Sequence, residues 1–123
     1  MPKTTGKKRR DEELAELIVD TLEDMKAERI VSLDVRHLTS ITDVMVVASG
    51  RSDRHVRAIA DALLERCAEK GFKPLGVEGQ EAGEWVLVDL SDAIVHVMVP
   101  RVREFYNIEN LWDLSARERT AER

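Results

Sequence analysis

Apolar residues recur along this chain with two different periods, and the changes of period mark its elements. Over residues 11–28, Leu14, Leu17, Ile18, Thr21, Leu22 and Met25 fall at i, i+3, i+4, i+7, i+8 and i+11, the spacing of one stripe on an α-helix. Asp11, Glu12 and Glu13 open that stretch, where the helix dipole favours acidic groups. Residues 30–35 (IVSLDV) read as a short strand, and 44–48 (VMVVA) as a continuous apolar strand buried on both faces. A second helical stripe follows: Val56, Ile59, Ala60, Leu63, Leu64 and Cys67. Ser52 is its N-cap, and Gly71 directly after Lys70 is its left-handed stop.

The strongest pattern is 84–99, EWVLVDLSDAIVHVMV. It predicts a hairpin of strands 84–90 and 93–99 turning at Ser91-Asp92. With a two-residue turn, one face carries Val86/Val97, Val88/Val95 and Leu90/Ala93. The other carries Trp85/Met98, Leu87/His96 and Asp89/Ile94. Both faces are apolar and need cover. Two helical stripes cover one face fully and leave part of the second, a first pointer to a binding surface. Before the hairpin, 74–79 is a short extended segment and 80–83 a polar loop. After it, Pro100 suits the first turn of a short helix over 101–106. The apolar residues of 108–112 (IENLW) fold back onto the core. The order predicts a single α/β (α+β) domain, a mixed sheet with helices packed against it.

Length narrows this to one domain: 123 residues suffice for one real core. Residues 1–10 read as a basic disordered tail, 11–112 as the folded domain and 113–123 as a charged tail. No apolar run reaches the roughly 18–20 residues of a membrane span, and the basic start has no apolar segment behind it. A single cysteine, Cys67, excludes an intrachain disulfide and points to a reducing compartment, most simply the cytoplasm. The net charge of −5 is unevenly spread, for residues 11–112 carry −10. So acidic a domain is poorly suited to gripping phosphate backbones and would be steered toward a basic partner.

Candidate chemistry is thin. Asp89, Asp92 and His96 form the most suggestive cluster, with Asp89 and His96 diagonal neighbours on one face. A shared metal is one reading; turn chemistry for Asp92, with Asp89 orienting His96, is the structural alternative. Ser49-Gly50-Arg51-Ser52 leads from a strand into a helix, a favourable place for an anion, but one glycine and no loop lysine fit capping better. A nucleotidyltransferase would place two magnesium-holding aspartates on the next strand, and no Asp-x-Asp follows. No catalytic residue, metal or cofactor is assigned. What remains is the Trp85/Met98 face with Asp89 and Glu84 beside it: an aromatic, a flexible thioether and an acidic rim, suited to a basic protein surface. Cover by 108–112 as ordinary core is the competing reading.

The ordered motifs add a resemblance. They run Asp34-Val35, Ser40-Ile41-Thr42-Asp43, Ser49 through Val56 (SGRSDRHV), Ala58-Ile59-Ala60-Asp61 and Gly76-Val77-Glu78-Gly79. Then come Trp85 through Leu90 (WVLVDL), Asp92, His96-Val97-Met98, Arg103-Glu104-Phe105-Tyr106, Glu109 and Leu111-Trp112. Over about residues 11–112 the chain resembles the ribosomal silencing factor (RsfS, Iojap-like) family. Ser91 departs from the family's usual glycine and Ile108 from its frequent leucine. The resemblance implies a nucleotidyltransferase-like fold without catalytic aspartates. It implies binding to the large ribosomal subunit through ribosomal protein fourteen, blocking the small subunit from joining and repressing translation. It implies partner contact by Trp85 and Leu90, to which the pattern adds Met98 and Asp89. Contact with ribosomal RNA is not essential to this reading; an apolar sheet face could also pair with itself as a homodimer when the protein is free, and the sequence leaves that state open. The alternatives are a large-subunit assembly factor and a small nucleotide-binding or nucleotidyltransferase enzyme.

Overall fold

The central strand pair is the parallel one, and its sequences require it. In the computed structural model, which describes residues 6–112 with side chains from residue 10 onward, β2 (Val44–Ser49) and β5 (Ala93–Met98) pair in parallel. Nearly every residue of both is buried, as the unbroken apolar runs demand. β1 (Glu28–Asp34) flanks β2, and β4 (Trp85–Asp89) flanks β5, both antiparallel. β3 (Gly76–Glu78) closes the far edge, giving the order β1-β2-β5-β4-β3. The sheet is therefore mixed, and the fold is α+β.

The hairpin register matches its pattern: Trp85 opposes Met98, Val86 Val97, Leu87 His96, Val88 Val95 and Asp89 Ile94. Leu90 N–H donates to the Ala93 carbonyl at 2.8 Å and closes the turn. One sheet face packs under α1 (Gly6–Asp24) and α2 (Asp53–Glu69). Leu14, Ile18, Leu22, Val56, Ile59, Leu63 and Cys67 meet Val46, Val86, Val88, Val95 and Val97 there. The second face holds a smaller core of Val35, Met45, Val47 and Met98. Leu33, Leu38 and Trp85 cover it together with Val102 of α3 (Pro100–Tyr106) and with Ile108 and Trp112 of a further helical stretch at 108–112. The C-terminal segment thus folds back onto the core as its apolar residues predict. Among the described residues, it shields only part of the face.

Two boundaries differ from the pattern. α1 begins at Gly6, not at Asp11, so part of the expected basic tail is helical; residues 1–5 and 113–123 lie outside the described residues. Acidic residues favour the first turn of a helix, which is why Asp11 looked like the beginning. Arg10 stacks over Phe72, 4.4 Å from its centroid. The same helix ends at Asp24, and Glu28 is already in β1. Lys26 N–H donates to the Glu23 carbonyl (3.0 Å) and Ala27 N–H to that of Leu22 (2.9 Å), with Lys26 at φ 64. This is the paired termination that glycine usually makes, here made by a lysine. α2 ends the same way with the expected residue: Gly71 at φ 84 donates to Ala68, and Phe72 to Cys67.

Candidate functional site

Alternation along β4 sends Trp85, Leu87 and Asp89 toward the second face. Their fates differ. Met98, the cross-strand partner of Trp85, is fully buried, whereas Trp85 stays half-buried and forms one wall of an aromatic ledge. Its indole packs on Tyr106, centroids 5.0 Å apart and tilted by 48°. Phe105 meets Tyr106 edge-on at 4.9 Å. Phe105 is 78% exposed and Tyr106 54%, so two adjacent aromatic rings stand in solvent beside a tryptophan.

α3 supplies those rings and is fixed at both ends. Pro100 starts it, and Asn107, left-handed at φ 51, stops it with its N–H on the Arg103 carbonyl. Arg103 is the helix's buried anchor, 2% exposed. Its Nη1 donates to Ser49 Oγ (2.9 Å), its Nε donates to Glu109, and Nη2 makes an ion-pair contact with Glu109 Oε2 at 2.9 Å. One guanidinium thereby joins the end of β2, α3 and the 108–112 stretch.

On the other side of Trp85 lies an open depression of about 520 Å³ lined by Glu78, Gly79, Trp85 and Leu87. Gly79 has φ +85, and a Cβ there would fall on the Trp85 carbonyl oxygen, so only glycine lets the β3–β4 loop lie this close to the ledge. Of the exposed carboxylates, Glu78 lines this depression, whereas Glu84 is paired to Arg101 at 3.0 Å and lines a separate one with Arg51, Ser52 and Asp53.

The residues singled out from sequence divide accordingly. Trp85 is on the ledge. Met98 is not available to a partner: as the opposite member of the pair it is roofed by Trp85 and its neighbours in the second core. Leu90 is 5% exposed and packs in the other layer, beneath the helices, because it lies an odd number of residues from Trp85. Asp89 does not orient His96. Its Oδ1 accepts the Ser91 N–H at 2.9 Å, holding a turn in which Ser91 takes φ 74, the conformation glycine would supply freely. His96 instead accepts the Trp85 indole N–H at Nδ1, 3.0 Å away, and burial pushes its pKa down to about 4. Phe105 and Tyr106 stand in the sequence pattern as part of a short helix and of the ordered motifs, not as site residues. Their signal was two consecutive aromatics on a helix of seven residues, of which one face alone can reach the core.

Groups that could carry chemistry have structural tasks. Ser52 Oγ accepts the His55 N–H at 3.1 Å and caps α2. Ser49 is committed to Arg103. His55 accepts the Arg51 N–H at Nδ1 and donates from Nε2 to the Met25 carbonyl. Cys67 is buried, which pushes its thiol up to about 11. Asp92 lies with Asp11 and Asp43, ligand oxygens within 4.8 Å of one another. Arg36 lines a shallow depression with Asp11 and Asp43, its guanidinium paired first with Asp34 at 2.7 Å. No helix among the described residues is long and apolar enough to cross a membrane.

Comparison with known proteins agrees with this architecture. The family model described as "Ribosomal silencing factor during starvation" matches residues 8–123. The ribosomal silencing factor RsfS of Chromobacterium violaceum is 46% identical over 101 residues, 82% of this chain and 83% of that protein. That of Haemophilus influenzae is 44% identical over 99 residues, 80% and 97% of the two chains. A crystal structure of a Chromobacterium violaceum protein superposes with a TM-score of 0.81 at 46% identity, covering 82% of this chain and 84% of that one. More distant is the mouse "Mitochondrial assembly of ribosomal large subunit protein 1", 31% identical over 80% of this chain and 45% of its own length.

Proposed function

Because this chain belongs to the ribosomal silencing factor family, we propose that it binds the large ribosomal subunit through ribosomal protein fourteen, stands in the way of the small subunit, and so represses translation. The observation that carries the proposal is the ledge: Trp85, Tyr106 and Phe105 form a contiguous aromatic surface, with the exposed carboxylate of Glu78 beside Trp85. Exposed aromatics at the centre of a patch supply most of the energy of a protein contact. The acidic domain, −10 over residues 11–112, complements a basic ribosomal protein and speeds encounter. Trp85 and its aromatic neighbours are the anchors. Leu90 and Met98 shape the strand from beneath, and Asp89 fixes the turn. A blocker of this kind needs affinity and bulk and no catalytic group, in keeping with the structural duties of Ser49, Ser52 and Cys67.

The test is binding of the purified protein to isolated large subunits, small subunits and ribosomal protein fourteen alone. The proposal expects binding to the first and third and none to the second. Binding to the large subunit but not to protein fourteen would contradict the partner. The name of the mouse relative supports a second reading, assembly of the large subunit. It expects preference for precursor over mature particles.

A further inference from the structure

His96 sits in the middle of the sheet on β5, with Val47 of β2 on one side and Leu87 of β4 on the other. It is 7% exposed. Its Nδ1 receives the Trp85 indole N–H at 3.0 Å, so the ring carries its own proton on Nε2. Burial keeps this imidazole neutral and therefore able to accept. The two rings are 5.9 Å apart and tilted by 51°, while Tyr106 bears on the indole at 5.0 Å.

A tryptophan on a strand has two side-chain torsions to settle, and only some combinations present the indole to a partner. A ring contact such as that with Tyr106 is only loosely directional, whereas a hydrogen bond from a single N–H to a fixed acceptor is strongly so. We propose that His96 is a positioning residue for the docking surface: its Nδ1 locks the Trp85 indole against Tyr106, so that the ledge is organised before a partner arrives. Ordering a rotamer-rich side chain during association weakens binding by about three- to tenfold, and His96 removes that loss in advance. The inference rests on Trp85 being a partner anchor, as proposed above.

The experiment compares wild type, His96→Leu and His96→Asn, each as the full chain labelled with nitrogen-15. The two tryptophans, Trp85 and Trp112, give two indole resonances, assigned with Trp112→Phe. In wild type the Trp85 indole N–H is protected from solvent exchange. In His96→Leu it shifts toward the free-indole position and exchanges fast, and affinity for purified large subunits falls three- to tenfold. His96→Asn, which offers an amide oxygen near the place of Nδ1, restores most of both. A mere packing role gives the opposite order, since leucine buries better than asparagine at this site; affinity that follows the melting temperatures, leucine above asparagine, would overturn the proposal. So would a wild-type Trp85 indole N–H that exchanges like free indole, a result that needs no variant to fold. If wild type fails to bind large subunits, the docking reading falls, while the indole resonances still decide whether His96 holds Trp85.

Discussion

Trp85 is half-buried and bonded on one side only, so the two consequences of removing it separate. Trp85→Ala is expected to keep the fold, by circular dichroism, and to weaken binding to large subunits by about thirtyfold, roughly 2 kcal/mol for an aromatic hot spot. An unfolded variant would make Trp85 core and remove the ledge from the account. His96 gives a second prediction. Its folded pKa, about 4, lies below the ordinary 6.5, so between those values the unfolded chain binds the extra proton. Stability is therefore fully present above about pH 6.5 and declines as pH falls toward 4, by roughly 3 kcal/mol. Urea unfolding of wild type and His96→Leu across that window checks it: the wild-type slope should exceed that of the variant, and parallel slopes would contradict the assignment. The alternation of β4 and β5 placed Trp85 with Met98 correctly from sequence. It could not say that Met98 lies under Trp85 and is closed off, because that depends on what roofs the face.

At the scale of elements, the ledge depends on α3 being pinned by a buried charge. Arg103→Ala leaves Glu109, 14% exposed at its side chain, without its partner and Ser49 without its donor. Breaking such a pair from one side costs about 3–5 kcal/mol. Hydrogen exchange should then show loss of protection in α3 before the sheet opens; uniform loss would mean that α3 is no separate unit. The end of α1 offers a prediction of opposite sign. Lys26 occupies a left-handed position where glycine is unstrained, so Lys26→Gly should stabilise by about 0.5–1 kcal/mol in thermal unfolding. These are also the places where sequence reading was weakest. The stop at Gly71 was legible because the residue type matched the geometry. The stop at Lys26 was not, because the surrounding hydrogen bonds, not the residue, impose it. The Arg103–Glu109–Ser49 lock joins positions 54 residues apart at its extreme, a distance that no local pattern encodes.

Among the described residues, one sheet face is sealed by two helices and the other is covered only in part, with an aromatic ledge at its exposed side. Periodicity made this division visible in advance, since two helical stripes faced a hairpin apolar on both sides. It could not name the exposed residues, because Phe105 and Tyr106 become a surface only once Arg103 has placed their helix. In the function proposed above, this surface puts a bulky domain on the large subunit where the small subunit would meet it. That function is tested most directly by sedimenting equal amounts of large and small subunits, with and without the protein, at magnesium levels that favour joining. If the protein blocks joining, the joined peak shrinks and the protein travels with the large subunit. An undiminished joined peak, with the protein left at the top of the gradient, would contradict it.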